Sequence, residues 1–159
     1  MKISIICVGK IKEKFYIDAL NEYLKRLSRY CKTEVLEVAD EKTPDKASPL
    51  EVEQILKKEG DRLISRMKDD AFVISLEILG DKMNSTAFAD VIQRAAITGK
   101  SHIQFVIGGS LGLHKDISKR ANLKISFSDM TFPHQLMRVI LCEQIYRGYR
   151  IIHNEPYHK

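Results

Sequence analysis

The sequence predicts a single α/β domain with a mainly parallel sheet flanked by helices. Short runs rich in valine and isoleucine alternate with longer segments whose apolar residues recur at helical spacing. The apolar runs are nearly continuous, which is typical of strands that are buried on both faces of a parallel sheet. Because 159 residues is the length of one ordinary domain, we expect a single core over residues 1–159.

Five segments are predicted to be strands, because each is short and rich in β-branched residues. In open parallel sheets, ligands bind outside the carboxyl ends of the strands. The loops that follow the first, third, fourth and fifth of these segments are therefore the candidate ligand-binding loops. The five segments are 2–8, 33–38, 71–76, 102–107 and 123–127.

Three helices are predicted between these strands. Apolar residues at helical spacing indicate the first over residues 17–30. The second begins with a capping box, in which Ser48 caps the helix, Pro49 takes the first helical position and Glu51 bonds back to the cap. The third begins near Ser85 and ends at a glycine that can adopt the left-handed conformation of a C-cap.

The longest predicted helix follows the last strand, in the segment FSDMTFPHQLMRVILCEQIYRGYR over residues 127–150. Pro133 fits the first helical position, and Thr131 is a nearby candidate for the cap. From there, apolar residues at helical spacing continue for about 20 residues. The chain therefore turns sharply between its last strand and its best helix, either for a plain helix start or to hold a ligand.

Three arginines are expected on the polar side of this helix. They are Arg138, Arg147 and Arg150, and Glu143 lies one turn before Arg147, where it can form an ion pair. Two interpretations remain open from the pattern alone. The arginines form either a solvated face with ion pairs or a row that faces phosphate groups, which arginine binds in a bidentate way.

The charge balance favours a polyanionic partner. The formal net charge is +5 and the sequence pI is about 9.1, and residues 1–32 alone carry eight basic and three acidic side chains. A segregated basic surface is typical of proteins that bind nucleic acid, although basic charge by itself does not identify the partner.

The N-terminal segment MKISIICVGK has too few apolar residues for a signal peptide or a membrane span, so we expect a cytoplasmic protein without membrane association. The three cysteines, Cys7, Cys31 and Cys142, lie in or beside apolar segments and have no C-x-x-C spacing. We therefore expect reduced, buried thiols in a fold that needs neither a disulfide nor a metal.

A glycine-rich loop, GGSLGLHK over residues 108–115, follows the fourth predicted strand. Its glycines allow a ligand to approach the backbone closely, but the spacing matches neither common phosphate-binding motif. The loop does match G-x-S-x-G with Ser110 at its centre, and Asp129 and His134 follow in the chain order of an α/β-hydrolase triad. Both a serine hydrolase and a purely structural turn therefore remain open.

The chain ends in HNEPYHK, with Tyr157 and His158 beyond any predicted helix. A polar tail of this kind is commonly frayed. Its aromatic and imidazole groups could instead stack on a base and accept a proton.

The segments FVIGGSLGL and FSDMTFPHQLMRVILCEQIYR and the terminal YHK together resemble the ribosomal RNA large subunit methyltransferase H family, of the SPOUT or α/β-knot class. The resemblance covers the whole chain from its first residues. It implies transfer of a methyl group from S-adenosylmethionine to N3 of a pseudouridine in 23S rRNA, within the assembled 70S ribosome. It also implies a homodimer and a C-terminal trefoil knot over approximately residues 71–159, which general folding rules would not predict.

The resemblance also implies the roles of individual residues. Arg147, Tyr157 and His158 are expected to be catalytic, with the tail of one subunit meeting the cofactor of the other. Gly148 stands where we expect an alanine. No metal is expected. The residues expected to bind S-adenosylmethionine are Leu76, Gly108, Phe127, Ser128, Asp129, Met130, Thr131 and Phe132.

Two other functions remain alternatives. A non-catalytic protein that binds the ribosome or RNA would share the basic surface but would not bind S-adenosylmethionine. A serine hydrolase would use Ser110 as its nucleophile.

Overall fold

A computed structural model describes all residues from 1 to 159. The chain forms five strands and five helices that alternate from the first strand to the last helix. In chain order these are β1 (Lys2–Val8), α1 (Lys14–Leu27), β2 (Lys32–Val38), α2 (Pro49–Ile64), β3 (Phe72–Lys82), α3 (Ser85–Ile97), β4 (His102–Ile107), α4 (Lys115–Arg120), β5 (Leu123–Ser126) and α5 (His134–Ile152).

The five strands form one sheet in the order β2-β1-β4-β3-β5, and every neighbouring pair is parallel. The prediction of a single α/β domain with a mainly parallel sheet is confirmed. The order places β4, β3 and β5 side by side, so the loops after these three strands leave the same edge of the sheet. This edge is where ligands bind in open parallel sheets.

The sheet separates two apolar clusters, because alternate residues of a strand point to opposite faces. In β1, Ile5 belongs to the large cluster and Ile6 to the small one, and both side chains are fully buried. The large cluster also contains Leu141 of α5, and the small one contains Leu63 of α2. Burying one isoleucine stabilises a fold by about 1.5–3 kcal/mol, so both faces of the sheet contribute to the core.

The helix starts agree with the sequence in one case and differ in another. The capping box at Ser48 and Glu51 is present, with both of its hydrogen bonds. At α5 the prediction was wrong: Pro133 lies one position before the helix with an extended backbone, at φ −54° and ψ 134°, and no side chain caps the helix. Thr131 therefore does not cap α5, and the turn before this helix is ordered by other contacts.

One strand is longer than predicted, and one short helix was not predicted. Strand β3 continues to Lys82 instead of ending at Leu76, because an irregularity between Leu76 and Asp81 lets the strand resume its pairing with β5. The short helix α4 follows the glycine-rich loop, and the ring of His114 caps it by accepting a hydrogen bond from the amide of Asp116 at 3.3 Å.

Gly148 lies on the buried side of α5, where this helix crosses α3. A β-carbon at Gly148 would lie 3.3 Å from Cδ1 of Ile92 and 3.6 Å from Cα of Ala89. The missing side chain therefore allows the two helices to approach each other closely. This position lies outside the candidate site described below.

The three cysteines are buried and unpaired, which confirms the prediction of reduced thiols. Burial raises the pKa of Cys7 and of Cys142 to about 12, so both thiols stay protonated at neutral pH.

No helix of the chain combines the length and the apolar character that a membrane crossing requires.

Candidate active site

A cavity of about 290 Å³ opens at the carboxyl ends of β3, β4 and β5. Three segments form its walls: the end of β3, the glycine-rich loop after β4, and the turn between β5 and α5. Its lining residues are 76–78, 107–112, 125–128, 130–132, His134 and Met137.

Seven of the eight residues predicted to bind the cofactor line this cavity. The exception is Asp129, whose side chain is 76% exposed and forms an ion pair with Lys82 of β3. The Asp129 carboxylate therefore does not line the cavity. The seven lining residues are Leu76, Gly108, Phe127, Ser128, Met130, Thr131 and Phe132.

The glycine-rich loop is a tight turn that only glycine can form. Gly109 and Gly112 pair across it as an antiparallel bridge, and Gly112 has a φ of +88°. A β-carbon on Gly108 would lie 2.3 Å from the carbonyl oxygen of Gly112, a distance that no side chain tolerates. The loop therefore brings the backbone of Gly108, Gly109 and Gly112 to the cavity wall, beside the side chains of Ser110 and Leu111.

The turn between β5 and α5 is ordered by two serines. The hydroxyl of Ser126 donates to the carbonyl of Ser128 at 3.2 Å, and the hydroxyl of Ser128 accepts from the amide of Met130 at 2.9 Å. These local bonds take the place of the expected helix cap at Thr131. They shape the turn so that Met130 and Phe132 lie at the cavity.

The cavity has two titratable residues: Glu77, which the sequence prediction missed, and His134, which it considered only for the hydrolase alternative. Glu77 follows Leu76 directly, and its carboxylate accepts hydrogen bonds from Ser75 at 2.6 Å and from Ser118 at 2.9 Å. His134 lies close to Gly9, and burial, followed by the charge of Arg138, lowers its pKa below the usual histidine value. The position of Glu77 directly after the apolar run 71–76 is its signal in the sequence, but such a residue is too common to identify a site by itself.

Arg138 does not belong to a phosphate-facing row. Its side chain is fully buried and forms an ion pair with Glu37 of β2 at 2.7 Å. It also donates to the carbonyls of Val8 and Gly9, each at 2.8 Å. The interpretation of Arg138 as a surface residue of the polar side is therefore wrong, and this arginine ties α5 to the ends of β1 and β2.

Arg147 forms the expected pair with Glu143, whose carboxylate accepts hydrogen bonds from Nη2 at 2.7 Å and from Nε at 3.1 Å. The ring of Tyr157 lies under the guanidinium, 4.7 Å from Cζ to the ring centroid, and its hydroxyl donates to Glu143 at 3.2 Å. His158 follows, with Nδ1 3.5 Å from Arg147. The tail therefore packs along α5 and is not frayed, and the three predicted catalytic residues lie together.

Arg150, like Arg147, is half-buried and paired with a glutamate. It pairs with Glu155 of the tail at 2.6 Å and donates to the hydroxyl of Tyr30 at 3.4 Å. The interpretation as an ion-paired face therefore describes Arg150.

The predicted catalytic residues do not line the cavity at the carboxyl ends of β3, β4 and β5 in their own chain. His158 lines a second cavity of about 420 Å³ between α3 and α5, and Arg147 and Tyr157 line neither cavity. The two cavities share Ile125, Ser126 and Phe127 in their walls. Within one chain, the tail and this first cavity are therefore neighbours that do not form one continuous site.

The residues of the hydrolase alternative are not arranged for catalysis. Ser110 is exposed, and its hydroxyl lies 3.3 Å from the hydroxyl of Thr43. No hydrogen bond joins Ser110 to His134 or His134 to Asp129, which is paired with Lys82. A nucleophile and its base must be within hydrogen-bond reach, so the geometry argues against a serine hydrolase.

Comparison with known proteins identifies the family. Residues 1–158 match the family described as "Predicted SPOUT methyltransferase". A protein of Methanococcus maripaludis (strain C5) is 60% identical over the full length of both chains. Ribosomal RNA large subunit methyltransferase H of Clostridium botulinum (strain Hall) is 57% identical, and the protein of the same name from Bifidobacterium animalis subsp. lactis is 56% identical, again over both full lengths.

Solved structures support the same fold at low sequence identity. A probable methyltransferase from Bordetella pertussis Tohama I has a TM-score of 0.58 at 12% identity, over 92% of this chain and 95% of that one. The tRNA (m1G37) methyltransferase from Aquifex aeolicus has a TM-score of 0.51 at 14% identity, over 92% of this chain and 70% of that one. With the full-length relatives, these likenesses lead to one conclusion: the chain belongs to the ribosomal RNA large subunit methyltransferase H family of SPOUT methyltransferases.

Proposed function

We propose that this protein transfers a methyl group from S-adenosylmethionine to N3 of a pseudouridine in the 23S rRNA of the assembled 70S ribosome. The observation that carries the proposal is the cavity at the carboxyl ends of β3, β4 and β5, in a chain with full-length relatives named as ribosomal RNA large subunit methyltransferase H. The formal net charge of +5 fits an RNA substrate.

The cavity suits S-adenosylmethionine chemically. Apolar side chains such as Leu76, Phe127 and Phe132 offer surfaces for adenine, and the backbone of the glycine-rich loop offers amides and carbonyls for the polar groups. The cofactor has no phosphate, which agrees with the missing phosphate-binding motif. When bound, it supplies the methyl group as an electrophile. All eight predicted residues remain in the proposed binding set, with Asp129 contributing through its backbone.

The residues of the chain must then hold the pseudouridine and accept the proton that N3 loses. We assign the proton to His158, the contact with an RNA phosphate or a uracil carbonyl to Arg147, and stacking on the base to Tyr157. The support is their proximity: Arg147 lies over the Tyr157 ring at 4.7 Å and within 3.5 Å of His158. Positioning of the two reacting atoms supplies much of the rate enhancement in such a transfer.

The proposed enzyme is a cytoplasmic homodimer. Because Arg147 and Tyr157 do not line the cavity of their own chain, we propose that the tail of one subunit completes the cavity of the other. We also propose that residues 71–159 form the trefoil knot that the family implies. The parallel order β4-β3-β5 and the turn that leads into α5 are compatible with such a knot.

The function is tested by methyl transfer from labelled S-adenosylmethionine to 70S ribosomes and to free 23S rRNA, both from cells that lack this enzyme. Mass spectrometry then identifies the modified nucleoside. We expect N3-methylpseudouridine on ribosomes and little product on free RNA. Cofactor binding without transfer to either substrate would contradict the proposed target, and ribosome binding without cofactor binding would support the non-catalytic alternative.

A further inference from the structure

We propose that Glu77 supplies the negative charge with which the cavity prefers the positively charged S-adenosylmethionine over its neutral thioether product, S-adenosylhomocysteine. The inference rests on the proposed function, because it assigns a role to a residue in the proposed cofactor cavity. Glu77 is the only carboxylate among the residues that line this cavity.

The carboxylate of Glu77 is held in place from one side. The hydroxyls of Ser75 and Ser118 donate to the same oxygen, Oε1, at 2.6 Å and 2.9 Å. Ser75 is fully buried in β3, and Ser118 belongs to α4, so two separate elements fix this oxygen. The second oxygen, Oε2, receives no hydrogen bond from the protein and is free to face a ligand.

The charge of Glu77 has no partner within the chain. No lysine, arginine or histidine forms an ion pair with it, although other half-buried carboxylates of the chain, such as Glu37 and Glu143, are paired with arginines. Burying part of a carboxylate costs free energy when no cation is paired with it. A cationic ligand in the cavity offsets this cost, and the rigid hydroxyl contacts keep the carboxylate in position for it.

Asp129, the other candidate carboxylate, does not supply this charge to the cavity. Asp129, which belongs to the turn before α5, is exposed and paired with Lys82. The other titratable residue of the cavity is His134, whose burial, followed by the charge of Arg138, lowers its pKa and favours its neutral form. Glu77 is thus the group that gives the cavity a net negative charge.

The two ligands differ in the charge on their sulfur atom, with which the Glu77 carboxylate would interact. S-adenosylmethionine carries a sulfonium in addition to its amino and carboxylate groups, whereas the product carries an uncharged sulfur at the same place. A sulfonium forms no ordinary hydrogen bond, so its attraction to a carboxylate is electrostatic and is strengthened in a cavity of low dielectric constant. Such a contact favours binding of the donor and release of the product.

The test is the substitution Glu77→Gln, which removes the charge and keeps an oxygen that can accept from both serines. Dissociation constants are measured by isothermal titration calorimetry, without turnover, for S-adenosylmethionine and S-adenosylhomocysteine. We expect the variant to bind the first about tenfold more weakly and the second with nearly unchanged affinity. Sinefungin, which carries a protonated amine in place of the sulfonium, should weaken like S-adenosylmethionine.

The matched control is Asp90→Asn, which removes the same charge from an exposed residue of α3 outside the cavity. It should leave both dissociation constants unchanged. Equal weakening of both ligands by Glu77→Gln would overturn the proposal, because it would place the contact on a part that the two ligands share. Unchanged binding of both would overturn it as well. If the wild-type chain bound neither ligand, the proposed function itself would be contradicted.

Discussion

The two ends of α5 carry arginines with opposite roles. Near its start, Arg138 is fully buried and joins Glu37 to the ends of β1 and β2. Near its end, Arg147 is half-buried, pairs with Glu143 and supports the tail through Tyr157. The two arginines are nine residues apart, which is two and a half helical turns, so they point to opposite sides of the helix. The same residue type therefore stabilises the fold at one end of the helix and, in our proposal, serves the reaction at the other.

The largest effect is expected from Arg138→Met. The substitution leaves the Glu37 carboxylate without its cation and the carbonyls of Val8 and Gly9 without donors. We expect the free energy of unfolding to fall by about 3–5 kcal/mol, toward the lower limit because Glu37 is partly exposed. Urea denaturation followed by circular dichroism measures this change. A loss below 1 kcal/mol, within the range of exposed ion pairs, would mean that Arg138 does not hold the strand ends together.

In contrast to Arg138→Met, Arg147→Ala should lower the activity strongly and the stability less. Removing a charged donor that acts on the substrate typically lowers turnover by about 10²–10³-fold. The free energy of unfolding should fall by less than in Arg138→Met, because the Arg147–Glu143 pair is half-buried whereas Arg138 is fully buried. Turnover on 70S ribosomes and urea denaturation are measured on the same preparation. Arg94→Ala, at an exposed position of α3, is the matched control and should retain wild-type turnover.

His158→Ala tests the tail separately from the helix. If His158 accepts the N3 proton, its loss should lower turnover by about 100-fold, the lower part of the range for general bases. The dissociation constant of S-adenosylmethionine, measured by calorimetry, should stay nearly the same. Unchanged turnover would remove His158 from the mechanism and leave the tail with a binding role.

The smallest effect concerns pH and belongs to the structural end of α5. Burial and Arg138 lower the pKa of His134, so the folded state binds fewer protons than the unfolded state just below the usual histidine pKa. Stability is therefore complete above the unfolded-state pKa of about 6.5 and declines as the pH falls toward the lowered value. Denaturation between pH 5 and pH 8 should show this decline in the wild type and a flatter profile in His134→Gln. Parallel profiles would show that His134 does not contribute to the acid sensitivity.

The sequence predicted the parts of this molecule that depend on local patterns. Nearly continuous Val and Ile runs predicted all five strands, and Ser48 with Glu51 predicted the start of α2, because burial and capping leave signals within a few residues. The turn before α5 was different: Thr131 and Pro133 have typical capping identities, but the serines at 126 and 128 determine the turn. Helical spacing places Arg138 and Arg147 on opposite sides of α5. The prediction of one polar side for both arginines did not use this spacing.

The remaining features depend on contacts between distant parts of the chain. The partner of Arg138 is Glu37, about one hundred residues earlier, and no local pattern indicates which carboxylate a buried arginine will meet. Glu77 likewise can be recognised as a site residue only from the structure, where Ser118 of α4 donates a hydrogen bond to it and the turn after β5 completes the cavity. A single glutamate at the end of a strand is too common to identify such a site from the sequence.

The central claim is that the functional end of α5 serves the cavity of the partner subunit, and a heterodimer tests it most directly. One subunit carries Arg147→Ala with His158→Ala. The other carries Gly108→Ala, whose β-carbon would disturb the glycine-rich loop. The two are co-expressed with different tags, purified through both, and checked for folding. Each variant homodimer should be inactive, whereas the heterodimer keeps one intact tail facing one intact cavity and should recover about half of the wild-type turnover on 70S ribosomes. No recovery in a folded, dimeric heterodimer would contradict a shared site and place the tail and the cavity in the same subunit.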